Sequence, residues 1–186
     1  MAETARDLTI ISAEEYLARE NDGAWKHEFI NGAVYAMGES SDRHNIIAIN
    51  LATALNVHLP IQCQVFGCDM KLHIQSVHDE RFYYPDVFVS CSEGDRARYT
   101  REQPIFVAEV LSPATERIDR HEKFDAYTKI PSMQEYALVA QDLPKLELFR
   151  RRTEWRRETF SLDDTVTFES VDLTLPMTAI YHRMNF

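Results

Sequence analysis

The segment Ile105-Phe106-Val107-Ala108-Glu109-Val110-Leu111 limits what this chain can fold into more than any other. Its apolar, β-favouring residues read as a strand from the middle of a sheet, covered on both faces. One acid, Glu109, interrupts it. Burying an ionised carboxylate in such a place is expensive unless a cation or a good donor neutralises it. A second acid is placed comparably: Asp86 follows Pro85 at the mouth of the strongly β-forming run Phe82–Ser90. Two readings stay open. Either Glu109 caps a strand end or pairs with an arginine for structural reasons, or Asp86 and Glu109 converge on a divalent metal ion.

At 186 residues the chain is expected to form one domain, 1–186, with residues 1–11 as a loose N-terminal arm. Apolar residues make up 45% and charged residues 27%, a soluble globular balance. No apolar run is long enough to span a membrane. Ser12 and Glu15 form a capping box opening a helix to about Asn21, and Asn31-Gly32 suits the turn of a hairpin over Trp25–Met37. A long helix is predicted from about Asp42 to Leu59, stopped by Pro60, and a second from Arg117 to Lys129, before Pro131. Strands are predicted at Gln62–Phe66, Asp69–Gln75, Phe82–Ser90, Ile105–Leu111, Glu135–Val139, Leu146–Arg151, Trp155–Phe160 and Thr165–Glu169. This mixture argues an α/β (α+β) fold, a curved mixed β-sheet with helices on its faces.

Net charge is −10, which disfavours a protein whose main task is to grip nucleic acid. Arg150, Arg151, Arg152, Arg156 and Arg157 nevertheless lie within eight residues, opposed by Glu154 alone. They are either a solvated strand pair or a phosphate-facing strip with Arg150, Arg152 and Arg156 as its contacts. Cys63, Cys68 and Cys91 are odd in number and not spaced as a zinc ribbon. The opening MAETARDLTI shows no export signal, so reduced thiols and a cytoplasmic location are expected. No dinucleotide fingerprint, phosphate-binding Walker loop, nucleophile elbow, HExxH or paired CxxC is present.

Pro85-Asp86-Val87 followed by Val107-Ala108-Glu109-Val110-Leu111-Ser112-Pro113 resembles the PD-(D/E)xK nuclease superfamily. Within it, the chain is similar to the bacterial restriction endonuclease-like domain family, once classed only as a domain of unknown function. Asp119-Arg120-His121-Glu122-Lys123-Phe124, Glu135-Tyr136-Ala137-Leu138-Val139, the early His27-Glu28-Phe29-Ile30-Asn31-Gly32 and the late Leu175-Pro176 carry the same likeness. It covers about Ser12 to Leu175. The resemblance implies a restriction-endonuclease-like core and hydrolysis of phosphodiester bonds, of DNA more than RNA, with Mg²⁺ or Mn²⁺ held by Asp86, Glu109 and the Val110 carbonyl. It also implies Lys123 and Glu28 as further catalytic residues.

One departure matters. The superfamily's usual lysine lies two positions after the glutamate, and Leu111 stands there. The resemblance implies that Lys123, on the following helix, replaces it, its long stem reaching back over the sheet. A rival lies in Asp69-Met70-Lys71, itself a D-x-K, in a polar strand where acid and base need no special explanation. His44, near the start of the long helix, has two readings, one close to the site and the other, more usual for a helix-start histidine, at the surface or in packing. Tyr127, one turn beyond Lys123, is expected to pack rather than react. Symmetric cutting of two strands makes a homodimer plausible. The contending readings are a nuclease-like domain that binds nucleic acid or a protein without cleaving, and a phosphoesterase acting on a small nucleotide.

Overall fold

The structure is a computed structural model and describes residues 10–23, 25–77 and 79–186. Residues 1–9 of the expected N-terminal arm lie outside the described residues. Ile11 is not part of a loose arm: it is buried, and its amide donates to the Gly32 carbonyl (3.0 Å).

Helix α1 (Ala13–Asp22) begins where the capping box puts it, with the Ser12 hydroxyl accepting from the Glu15 amide at 3.1 Å. The hairpin β1 (His27–Ile30) and β2 (Ala33–Ala36) turns at Asn31 and Gly32, whose φ angles are +50° and +93°. A two-residue turn of that hand needs positive φ at both positions. Helix α2 (Asp42–His58) is capped by Ser41 and followed by Leu59 and Pro60. Strands β3 (Gln64–Gly67), β4 (Lys71–Gln75), β5 (Glu80–Tyr83), β6 (Val87–Ser90), β7 (Thr100–Arg101) and β8 (Phe106–Leu111) come next. The second helical region is α3 (Glu116–Ile118), a π-helical turn (Asp119–Lys123) and α4 (Phe124–Thr128). Strands β9 (Glu135–Ala140), β10 (Lys145–Arg150), β11 (Arg157–Ser161), β12 (Thr165–Phe168) and β13 (Leu173–Pro176) precede the short α5 (Met177–Ile180).

The fold is mixed α+β, but the strands form three sheets rather than one. A five-stranded sheet runs β2-β1-β5-β4-β7, a six-stranded sheet runs β11-β10-β9-β8-β6-β3, and β12 pairs with β13. Both larger sheets are mixed: β4 and β7 are parallel, as are β8 and β9, and the other pairs are antiparallel. The run Phe82–Ser90, read from sequence as one strand, is two. It leaves the five-stranded sheet after Tyr83 and enters the six-stranded one at Val87, with Tyr84-Pro85-Asp86 as the crossing. Pro85 has no amide to give a ladder, so pairing stops there.

Strand β8 is internal, as its apolar run requires. Its side chains alternate between two cores. Phe106, Ala108 and Val110 face a cluster with Ile47, Leu51 and Leu55 of α2. Val107 and Leu111 face the other cluster, with Ala126 and Tyr127 of α4 and Tyr83. Glu109 has the parity of Val107 and Leu111, so it points to the α4 side. Among the described residues no helix is long and apolar enough to cross a membrane.

The cysteines differ from expectation. Cys63 and Cys91 form a disulfide, with Cα atoms 4.0 Å apart, and Cys68 alone is free. The pair extends the β3–β6 register one step beyond Gln64↔Ser90. That pairing skips over β4 and β5, so a spacing of 28 residues gave no hint of it. Thiol titration of the denatured, unreduced protein should therefore count one thiol. Reduction should cost about 3–4 kcal/mol, the chain entropy of a loop of this size. A count of three thiols without reductant would contradict the pairing.

Candidate active site

The register of β6 on β8, Val87↔Ala108, carried one residue further sets Asp86 opposite Glu109. The two acids are held there reciprocally. The Asp86 amide donates to Glu109 Oε2 (3.2 Å), and the Val110 amide donates to Asp86 Oδ2 (2.7 Å). Each carboxylate is thus fixed by the other strand's backbone, which the break at Pro85 leaves free to do so.

The helical region supplies the cation. Asp119, Lys123 and Tyr127 recur at intervals of four and share one buried face. The Lys123 ammonium lies 3.1 Å from Glu109 Oε1, 3.1 Å from Glu28 Oε1 and 3.5 Å from Asp119 Oδ1, over the Tyr83 ring. Tyr127 donates its hydroxyl to Glu109 Oε1 at 2.8 Å. Leu111 stays in the apolar core, and the amine missing from its position arrives from the π-helical turn instead. Glu28 alternates with Phe29 on β1, so Phe29 enters the core against α1 while Glu28 turns toward Lys123. The Tyr84 amide also faces Glu28 Oε1, at 3.4 Å.

His44, for which the surface or packing is the more usual reading, belongs to the cluster. It is buried, its Nε2 lies 3.1 Å from Asp86 Oδ2, and its amide is fixed by Ser41 Oγ. Asp119 and Tyr127 were missed as site residues, although the i, i+4, i+8 spacing around Lys123 was there to be read. For His44 the sequence held no comparable signal, since α2 and β6 are joined only by tertiary packing. The Asp69/Lys71 alternative does not assemble. Asp69 is exposed and paired with Lys26, and Lys71 forms no ion pair with any of the four clustered acids.

Three arginines of the strip form a structural network, while Arg156 and Arg157 stay exposed. Arg150 is buried between Glu135 (2.9 Å) and Glu158 and is unavailable to a nucleic acid. Arg151 donates to the Met133 and Ile130 carbonyls, both at 2.6 Å, closing the chain after α4. Arg152 is held by Glu169, whereas Arg156 stays exposed beside Glu154 at 3.8 Å. The signal that deceived was local: Glu135 comes opposite Arg150 once β9 and β10 pair, and the turn after β12 brings Glu169 beside them.

Electrostatically the cluster is anionic, with four carboxylates around one amine and one imidazole. Burial pushes the Glu109 carboxyl well above its ordinary range; Lys123 opposes this, and Asp86, Asp119 and Glu28 add to it. Burial likewise raises Asp119. Burial alone would lower the Lys123 amine, but Glu109, Glu28 and Asp119 outweigh it and hold the amine firmly protonated. Burial also opposes the His44 imidazolium, and the hydrogen bond to Asp86 overcomes it, so its pKa stands above the usual histidine value. Glu109, Asp119 and Lys123 are the least exposed of the group, and Asp86, Glu28 and His44 form its solvent-facing side.

A strand pair carrying opposed acids, with a lysine returned from the next helix, defines a restriction-endonuclease-like domain. The model of the Uma2 family, whose description reads "Putative restriction endonuclease", matches residues 13–178, and the chain belongs to that family. Two uncharacterized proteins of Synechocystis are similar to it. One, slr1290, is 34% identical over 180 residues, covering 95% of this chain and 94% of the relative; the other, sll1609, is 34% identical over 146 residues, covering 76% and 81%. A crystal structure from Anabaena variabilis, described as a putative nuclease belonging to DUF820, superposes with a TM-score of 0.72. That match has 16% identity and covers 92% of this chain and 97% of the other, so what it shares is the fold.

Lys123 is the group whose loss the cluster tolerates least. Lys123→Met should lower stability by about 3–5 kcal/mol in EDTA-containing buffer, because it strands buried carboxylates without their counter-charge. Urea unfolding measures this, and a variant as stable as the parent would contradict the ion network.

Proposed function

We propose that this chain is a metal-dependent nuclease that hydrolyses phosphodiester bonds of DNA. The observation that carries the reading is the Lys123 amine, which meets Glu109 and Glu28 at 3.1 Å and so restores the lysine that Leu111 displaces.

The donor set fits a hard divalent cation. Asp86 and Glu109 offer carboxylate oxygens from adjacent strands, and the site carries surplus negative charge. Among the described residues buried Asp119 Oδ1 has no hydrogen-bond partner beyond the Lys123 ion pair at 3.5 Å. Among the described residues no three His, Cys, Asp or Glu side chains form a ready-made metal cage. This suits Mg²⁺ or Mn²⁺, of which Mg²⁺ usually keeps several waters and binds through one or two carboxylates. In this reading Asp86 and Glu109 hold the ion with the Val110 carbonyl. The bound ion would polarise the scissile phosphate and lower the pKa of a coordinated water.

The protein's own groups would do the rest. Lys123 presents a fixed ammonium to offset negative charge on the phosphate as the attacking water's bond to phosphorus forms. Glu28, ion-paired with the amine at 3.1 Å, orients it or a water beside it. Tyr127 keeps its proton, because burial pushes the phenol well upward, and steadies Glu109 as a donor. His44, whose Nε2 lies 3.1 Å from Asp86 Oδ2, fixes the orientation of Asp86. Cutting both strands of a duplex calls for two such sites, and the proposal includes a homodimer on that ground.

Supercoiled plasmid incubated with Mg²⁺ or Mn²⁺ should be nicked or linearised, and EDTA should abolish the reaction. Asp86→Asn and Glu109→Gln should each reduce the rate by roughly a hundredfold or more, the scale of losing a transition-state electrostatic contact. Cleavage that persists in both variants contradicts the assignment. DNA binding with no cleavage under any metal would favour the non-cutting reading instead.

A further inference from the structure

Lys71, set aside as a catalytic lysine, is left without an explained role. It is only 5% exposed and opens β4, yet among the described residues its amine has neither an ion pair nor a hydrogen bond. It lies over two aromatic faces instead, 5.3 Å from the Tyr84 ring centroid and 5.9 Å from that of Tyr99. Lys26 stands over the same Tyr84 ring at 5.8 Å. Burial lowers the Lys71 amine below its ordinary pKa, with Glu20 pulling the other way. Cation–π contacts compensate part of that burial. An ammonium without a carboxylate partner among the described residues is a group that an incoming anion would complete.

The neighbouring chain is basic in the same unneutralised way. Lys71 pairs with Thr100 of β7, and the loop leading into that strand carries Arg96 and Arg98, both exposed. Arg98 lies over the Tyr99 ring at 5.1 Å. Arg101 lies over Phe66 at 4.5 Å and donates to the Ala97 and Thr100 carbonyls. None of these three arginines has a carboxylate within ion-pair distance among the described residues. Two of the adjacent acids are engaged elsewhere, while Glu93 of the same loop is exposed. Asp95 accepts from Ser90 and from the Glu102 and Gln103 amides, and Glu102 pairs with His73. Lys71, Arg96, Arg98 and Arg101 are thus cations along one edge with no acid partner among the described residues, so an anion would find them unneutralised by direct pairing.

The edge adjoins the candidate active site. Tyr84, the ring under Lys71, comes two residues before Asp86, and its amide faces Glu28. Continuing the Gly67↔Val87 pairing one step places Cys68 opposite Asp86, with Lys71 three residues on.

From this placement we infer that the β4–β7 edge, with Arg98, Tyr99 and the Lys71 amine over the buried Tyr84 ring, binds the phosphate backbone of a nucleic-acid strand flanking the scissile bond. The inference rests on the nuclease reading and names the surface that holds its substrate. Lys71 serves binding here, not chemistry.

Fluorescence anisotropy of labelled duplex and single-stranded oligonucleotides in EDTA, over a salt series, tests it. Lys71→Met and Arg98→Ala should each weaken binding roughly tenfold, the scale of one charge-assisted contact. Each should also reduce the slope of log affinity against log salt by about one. Exposed Arg156→Ala should bind like the parent. Arg98 is exposed, so its variant keeps the test valid should Lys71→Met fail to fold. Parental affinity and slope in folded variants would overturn the surface while leaving Asp86-dependent cleavage, and so the nuclease reading, intact. Unchanged binding with lost cleavage in Lys71→Met would move Lys71 into the chemistry and overturn its binding role. A parent protein that neither binds nor cuts any probe would sink both.

Discussion

Lys123 places one ammonium group among carboxylates that reach it from three parts of the chain. Glu28 comes from the five-stranded sheet, Glu109 from the centre of the six-stranded sheet, and Asp119 from one helical turn earlier. Removing charges from water costs several kcal/mol per ion, and mutual attraction seldom returns more than it took. Such a network is therefore a poor device for stability alone. Its members are nonetheless held by strand register, by helical spacing and by backbone amides directed at carboxylate oxygens. The crossing at Tyr84-Pro85-Asp86 makes this possible, because a chain that changes sheets there releases backbone groups from ladder duty and turns them on the site.

Charge is distributed with comparable economy. The conspicuous run Arg150–Arg157 is largely consumed within the fold: Arg150 by Glu135 and Glu158, Arg151 by carbonyls, Arg152 by Glu169. The inconspicuous cations of β4, β7 and the loop between Asp95 and Thr100 have no acid partners among the described residues. Net charge and local clustering along the chain were thus both poor guides to where a polyanion could rest. Pairing in three dimensions decides it.

Much of the scaffold was legible. The Ser12–Glu15 capping box, the Asn31-Gly32 turn, Pro60 as a helix stop and the apolar run at β8 are local signals, and local physics honours them. The acid inside that run was informative because its position violated the pattern around it. Tertiary facts were less visible. Phe82–Ser90 has uniform β propensity, so nothing but Pro85 marked its division between sheets. The Cys63–Cys91 disulfide depends on a pairing that leaps over a hairpin. His44 meets Asp86 only through the packing of α2. Strand β7, two residues long, and β13 with α5 lie below the length at which periodicity speaks.

Crystals soaked in manganese and measured at its absorption edge would interrogate the acids most directly. An anomalous peak coordinated by both Asp86 and Glu109 is the result expected. A peak elsewhere on the molecule, with Asp86 and Glu109 still held only by their protein partners, would contradict the idea that these two carboxylates were brought together to hold a cation.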